Sequence, residues 1–323
     1  MGEGGYLQIN KSLNADAFDE YLSTQQSRLP FLPDVGRISP LVTRVLGFNP
    51  GKFTLQGTNT YIIGSGSKRI LIDTGQGIPN WAQAVSNILT EQNIAISHVV
   101  LTHWHGDHTG GVPDLIRLYP HLATAIYENA PGQGQLPIND HQLFVVEGAT
   151  IQAVHSPGHS HDHMCFILRE ENAMFTGDNI LGNDVSSGVE DLGVYMDTLT
   201  VMQKQDCVLG YPAHGVVVAD LPAKIAQVIG QKVRREQKLL RKMQALWVAA
   251  TNGSKRSGNG SATVEELVIA TYGEGVGNDT RKQILEPFTD EILRKLVGDG
   301  KVGFEVVGCE KRWFICNIDQ EIR

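Results

Sequence analysis

The stretch LTHWHGDHTGG, residues 101–111, places His103, His105, Asp107 and His108 within six positions. So dense a run of imidazole and carboxylate groups is a metal-binding pattern. His103 and His105 stand two apart. In an extended segment alternate side chains share a face, so both imidazoles can grip one ion. Asp107 and His108 follow Gly106, where the chain is expected to bend. They do not easily complete the same coordination shell and suggest a second ion beside the first. Three more donors fit. His159 stands in HSPGHS after a Pro-Gly turn, Asp178 ends NAMFTGD, and His214 lies in YPAHG. Each follows an expected strand and sits on a loop, so all can converge on one edge of a sheet.

Outward from this stretch the pattern is that of an α/β layered fold. LVTRVLG and TYIIG read as strands, as do RILID (69–73) and the β-branched ISHVVLT (96–102) that leads into the histidines. Residues 81–93 have helical apolar spacing, VPDLIRLYP reads as a short helix and TAIYE as a strand. ATIQAVHS, HMCFIL and NAMFTGD continue as strands, 191–205 as a helix and CVLG as a strand. Strands alternate with helices, which favours layers of both. Near Leu221 the character changes. One long helical pattern is followed by the Gly/Ser/Asn-rich TNGSKRSGNGS, expected as a flexible link. Two helices are expected next, over 263–272, with Thr263 and Glu266 as a capping box, and over 280–298. KVGFEVVG and KRWFICNI then form a hairpin. Helix, helix, helix, hairpin is a winged-helix-like order. A further helix is expected over 15–26, ahead of a Pro-punctuated arm.

Composition narrows the class. With 323 residues, 41% hydrophobic and 19% charged, the chain is an ordinary globular one, long enough for two domains. A net charge of −8 offers no general attraction to nucleic acid or to an anionic membrane. Cys165, Cys207, Cys309 and Cys316 have no CxxC spacing, which argues against disulfides and a zinc ribbon and for free thiols. No apolar run approaches the ~20 residues of a membrane span, and the first residues lack the marks of a secretory signal, so a cytoplasmic location is expected.

THWHGDH, SPGHS, FTGD and YPAHG, preceded by LIDTG, resemble the five ordered motifs of the metallo-β-lactamase superfamily over about 41–220. The resemblance implies an αββα sandwich (41–220), with the N-terminal helix and arm (1–40) packed on it and a C-terminal winged-helix-like domain (221–323). It further implies that His103, His105 and His159 hold a first zinc. Asp107, His108 and His214 hold a second, with Asp178 as the carboxylate between them. Two Zn2+ ions are thus the expected cofactors, with Mn2+ or Fe as alternatives. Asp73 matches an aspartate that braces the ligand loops without binding metal. On this reading a carboxylate stands among the imidazoles because histidines alone would leave two divalent cations poorly compensated. Asp107 also keeps an oxygen beside the nucleophile as catalytic proton acceptor. Metals lower the pKa of bound water towards ~7, so metal-hydroxide attack is implied. His161 and His163 stand in HSHDH, another alternating run that could bind metal, and are expected first as supporting or surface residues. His98, His121, His141 and His155 are expected on the surface or as satisfied core groups.

The superfamily covers many reactions, and other stretches narrow it. NPGKFTLQGTNTYIIG, SGVEDLGVYMDTL and the C-terminal segment resemble a branch holding endoribonucleases and discrete fungal polyketide thioesterases. GGYLQINKSL, ISPLVTRVLG and YPAHGVVVADLPAKI are similar to the latter, the enzymes that release atrochrysone carboxylic acid from the acyl carrier protein of a non-reducing polyketide synthase. The implied activity is thioester hydrolysis, with a carrier-protein domain as partner, a small polyketide acid as product, and neither membrane nor nucleic acid involved. A metal-dependent endoribonuclease is the alternative; there PGHG usually stands where this chain has Pro212-Ala213-His214-Gly215. The basic run KVRREQKLLRK is expected as a solvated helix face, and its Lys232, Arg234, Arg235, Lys238, Arg241 and Lys242 are the candidates for docking an acidic carrier.

Overall fold

The computed structural model describes residues 26–183, 185–251 and 260–316, and they divide into two compact units. One unit takes the described residues within 21–190 and 194–226, the other those within 191–193 and 227–323. The expected helix over 15–26 and most of the Gly/Ser/Asn-rich link lie outside the described residues.

The first unit is built on two sheets. The larger runs in sequence order through β1 (Val35–Arg37), β2 (Val42–Leu46), β3 (Asn59–Ile63), β4 (Lys68–Ile72), β5 (Ala95–Val100), β6 (Ile126–Glu128) and β7 (Leu136–Pro137). The smaller contains β8 (Leu143–Val146), β9 (Ala149–His155), β10 (Met164–Leu168), β11 (Ala173–Gly177) and β12 (Leu209–Pro212), in the order β12-β11-β10-β9-β8. Alternation sorts the side chains. Tyr61, Ile63, Ile70 and Ile72 join Ile151, Phe166 and Phe175 in the core between the sheets. From the opposite face of the larger sheet, Val45, Ile62 and Leu71 pack with Trp81, Val85 and Leu89 of helix Pro79–Glu91. Both faces of the central strands are therefore covered, which is why β3 is apolar throughout its last three residues.

The site edge follows from strand direction. β4 and β5 are parallel neighbours, as are β11 and β12, so the loops after each pair leave on one side. β10 is antiparallel to β11 and β9, which puts the β9–β10 loop at that edge as well. Asn59, at the start of β3, ties the sheets together there. Its backbone N–H donates to Ala213 O at 2.6 Å and its side chain to Pro212 O and Gly215 O at 2.8 and 2.9 Å.

Two local expectations change. The strand expected over CVLG begins later, at Leu209, and runs into Tyr211 and Pro212. Tyr211 is drawn into the inter-sheet core, while Val208 is exposed. Pro212 is tolerated because β12 is an edge strand. The helix expected over 280–298 runs unbroken from Asn278 to Gly298 but includes a π-helical turn, Arg281–Leu285, ahead of Glu286–Gly298. Pro287 accounts for that turn, since it lacks an N–H and its ring disfavours the preceding helical bond.

In the second unit Leu239, Met243, Leu267, Leu293, Val302 and Trp313 form a core of their own. They come from the long helix Leu221–Thr251, helices Val264–Tyr272 and Glu286–Gly298, and the hairpin β13 (Val302–Val307) and β14 (Glu310–Ile315). Thr263 caps its helix as expected, accepting from Glu266 N while the Glu266 carboxylate accepts from Thr263 N. Among the described residues no helix is long and apolar enough to cross a membrane.

Candidate metal centre

The loop after β5 delivers four of the donors. Leu101 N donates to Tyr127 O, and Thr102 N to Asp73 Oδ1 at 2.8 Å, so this loop is pinned before His103 is reached. The bend expected at Gly106 is instead the start of a helical turn, Gly106–Thr109, with His105 at the position before it. A Cβ on Gly106 would meet nothing within 4 Å, so no glycine freedom is used there. Within the turn Asp107 and His108 point about 100° apart, as successive helical residues do, and the His108 ring comes to 4.1 Å from that of His103, centroid to centroid.

All seven candidate ligands are brought together, and none is more than 4% exposed. Their donor atoms fall into overlapping groups: His103, His105 and His159; Asp107, His108 and His214; and His103, His108 and Asp178. In the first, His105 Nδ1 lies 2.8 Å from His103 Nε2 and 3.1 Å from His159 Nε2. In the second, Asp107 Oδ2 lies 3.4 Å from His108 Nε2 and 3.3 Å from His214 Nε2. Asp178 stands between them, with Oδ1 3.6 Å from His108 Nε2 and 3.3 Å from His214 Nε2, and Oδ2 3.5 Å from His159 Nε2.

These atoms fit a metal better than they fit each other. Both oxygens of Asp107, Oδ1 of Asp178, and Nε2 of His108 and His214 are buried with no hydrogen-bond partner. Such orphans are costly unless something else satisfies them. Donors arranged tetrahedrally at ~2.0–2.1 Å from an ion lie roughly 3.3–3.4 Å from one another, close to the separations around Asp107 and His214.

Outer hydrogen bonds aim the imidazoles. His108 Nδ1 donates to Asp73 Oδ2 at 2.9 Å, which leaves Nε2 bare. His159 Nδ1 donates to Gly188 O at 2.7 Å, again freeing Nε2. Thr102 Oγ1 gives its proton to Asp73 Oδ2 and lies 3.0 Å from His103 Nδ1, placed to accept from it. Each fixes the tautomer that a ligand needs. Asp73 itself stays outside the donor groups. Ser187 Oγ lies 2.9 Å from His159 Nδ1; no spacing rule in the sequence marks a lone Thr, Ser or Asn such as Thr102, Ser187 or Asn59 as a support of the site.

Electrostatics divides the cluster in two. Burial, then neighbouring imidazoles, holds His103 well below its ordinary range and takes His105 down to about 3. Their lone pairs are therefore available. Burial also disfavours charge on His214, yet Asp178 and Asp107 override it and raise the group to about 9. His108 is raised in the same way by Asp107, Asp178 and Asp73 against the effect of burial. Burial would push Asp107 and Asp178 up, but the facing histidines hold both below the usual carboxylate range. Asp107 and Asp178 thus favour positive charge on the groups that face them.

The other histidines separate cleanly. His161 is on the surface near Glu190, and His121, His141 and His155 are exposed. His98 is half-buried beside Ser97. His163 is wholly buried behind the donors.

A profile of the metallo-beta-lactamase superfamily matches residues 53–214. The chain is 58% identical over 317 residues to an atrochrysone carboxyl ACP thioesterase of Aspergillus terreus (strain NIH 2624 / FGSC A1156), covering 98% of each. It is 59% identical to the atrochrysone carboxyl ACP thioesterase AacuM of Aspergillus aculeatus, covering 97% of this chain and 99% of that one. Among solved structures, a beta-lactamase domain protein from Burkholderia ambifaria aligns over 88% of this chain and 95% of its own, with TM-score 0.65 and 15% identity. The ordered donors, the paired sheets and these matches agree, and the chain belongs to the metallo-beta-lactamase superfamily.

Proposed function

We propose that the protein is a zinc-dependent thioesterase that frees an aromatic polyketide acid, similar to atrochrysone carboxylic acid, from an acyl carrier protein. The observation that carries this reading is the identity of 58% extending over 98% of both chains, well beyond the superfamily core, to a relative named for that activity.

In this reading His103, His105 and His159 would hold one zinc and Asp107, His108 and His214 the other, with Asp178 placed between the two sets. The donors are nitrogen and oxygen without thiolate, which suits zinc and also Mn or Fe. Bound divalent cations supply a lowered pKa for water and polarisation of the thioester carbonyl. The chain's own contribution is placement and proton handling. Asp107 turns Oδ2 to both histidines of its triad, and Oδ1 has no protein partner. Oδ1 takes the proton of the attacking water as oxygen bonds to the carbonyl carbon. The C–S bond then breaks, and the thiolate leaves with little need of protonation because thiols are acidic, with pKa about 8.5.

The partner is the carrier domain of a polyketide synthase. Five of the six basic candidates suit its docking: Arg234, Arg235, Lys238, Arg241 and Lys242 are exposed. Lys232 does not, since it is only 9% exposed. Incubation with an acyl-loaded, thioesterase-free synthase is expected to release the acid, and a chelator to stop release until zinc is restored. Cleavage of single-stranded RNA without release of acid would replace this reading with the ribonuclease one.

A further inference from the structure

His163 lies one turn of chain beyond the ligand His159 and is 0% exposed, yet neither ring nitrogen belongs to a donor group. Its Nε2 lies 3.1 Å from the backbone N of Asp178, whose N–H has only a lone pair to give to. Nε2 is therefore bare, and Nδ1 lies 3.0 Å from Ser156 Oγ and 3.2 Å from Asn179 Nδ2. Ser156 Oγ donates in turn to His163 O at 3.3 Å, and Ser156 N to the same carbonyl at 2.9 Å. These contacts hold the ring in one orientation, with Nε2 as the acceptor.

What it locks against is the turn that carries Asp178. Gly177 has φ +50°, and a Cβ there would press on His163 Nε2 and lie 2.8 Å from Cε1. Only glycine lets the β11 end lie this close to the imidazole. Gly177 O accepts from Ala213 N at 3.1 Å, so the same turn also fixes the approach to His214. On its other side the His163 ring packs on His103, with centroids 5.1 Å apart and planes at 35°. Met164 N, the next backbone donor, bonds Thr102 O at 2.7 Å.

We propose that His163 is a positioning residue whose bare Nε2 holds the Asp178 backbone and so sets the direction in which the carboxylate between the two donor triads points. This rests on the metal reading above. It differs from the supports of His108 and His159, which orient imidazole ligands; His163 orients a carboxylate through its main chain.

The test compares two substitutions in the full chain. Glutamine can place an oxygen near the position of Nε2 and accept from Asp178 N–H, whereas asparagine reaches only as far as Nδ1. His163→Asn is expected to weaken zinc binding, measured by chelator competition, by 10–100-fold. It is also expected to alter the visible spectrum of the cobalt-substituted protein. His163→Gln is expected to restore affinity to within about threefold of the parent and to restore the spectrum. Circular dichroism and thermal unfolding establish that each variant is folded. A folded His163→Asn with parental affinity and spectrum overturns the inference, as does His163→Gln falling as far as His163→Asn. If His163→Asn does not fold, Ser156→Ala combined with Asn179→Ala decides, because together they free the Nδ1 side: unchanged zinc affinity then overturns the proposal. A parent that binds no transition metal overturns the metal reading and this inference together. A parent that binds zinc but does not hydrolyse carrier-bound thioesters overturns the thioesterase reading and leaves this one standing.

Discussion

Asp73 brings no atom into either triad, yet Thr102 N, Thr102 Oγ1 and His108 Nδ1 all bond its carboxylate. It sits at φ +57°, a conformation rare outside glycine, just where β4 ends. A charged acceptor that satisfies three donors in a buried place is hard to replace. Asp73→Asn keeps one acceptor oxygen but puts an NH2 where the other oxygen accepted, facing donors. The variant is expected to lose ~2–3 kcal/mol of stability in denaturant titration and 10–100-fold in zinc affinity. Unchanged zinc affinity would remove its bracing role. Glu128 sets a different condition. Burial first, then Asp162, raises its carboxyl to about 7, against about 4.3 in an unfolded chain. The folded state therefore holds the proton more tightly, so stability is fullest below about pH 4 and falls as pH rises through 7. Glu128→Gln is expected to raise the unfolding temperature relative to the parent at pH 8 and to give no gain at pH 4. An equal effect at both pH values would exclude Glu128 as the source.

Elements were legible where the pattern was local. Helix 264–272 was marked by its cap residues, and Thr263 and Glu266 do form the reciprocal bonds. Thr263→Ala is expected to cost about 1 kcal/mol, read as a lower unfolding temperature of the transition that reports the Trp313 core; no change would mean the cap is idle. The strands bearing donors were legible because each ends in a polar residue after an apolar run. Legibility failed where tertiary context decides. β8 alternates exposed Leu143 and Val145 with buried Phe144, a pattern too short to stand out before β9 is known to pair with it. β12 slid two residues because Tyr211 completes a core built by distant strands. That the seven candidate side chains gather in one cluster was readable from spacing and motif resemblance, but the residues around them were not. Thr102, Ser156 and Asn179 act through contacts that only the closed sheets create.

At the scale of the whole molecule, charge is unevenly spread. The chain carries −8 overall, yet along residues 226–249 every exposed side chain is neutral or basic. Arg234, Lys238 and Arg241 recur at helical spacing, with Arg235 and Lys242 beside them, and the acid in this run, Glu236, is buried against Lys295 at 2.7 Å. A solvated helix in an acidic protein has no electrostatic reason to exclude acids from its open face, whereas a surface that meets an acidic carrier does. Reversing two of these charges, Arg234→Glu with Arg241→Glu, places like charges opposite such a partner. At roughly 0.5–1 kcal/mol for each exposed contact, KM for the carrier-bound acyl chain is expected to rise roughly tenfold. kcat should hold, because neither residue is a ligand, and hydrolysis of a small free thioester should be unchanged. The rise should also shrink as salt is raised towards 0.5 M, since screening weakens exposed pairs first. Equal loss on the carrier-bound and the free thioester would mean that the reversal harms the fold. Parental KM on the carrier at low salt would mean that this face meets only water.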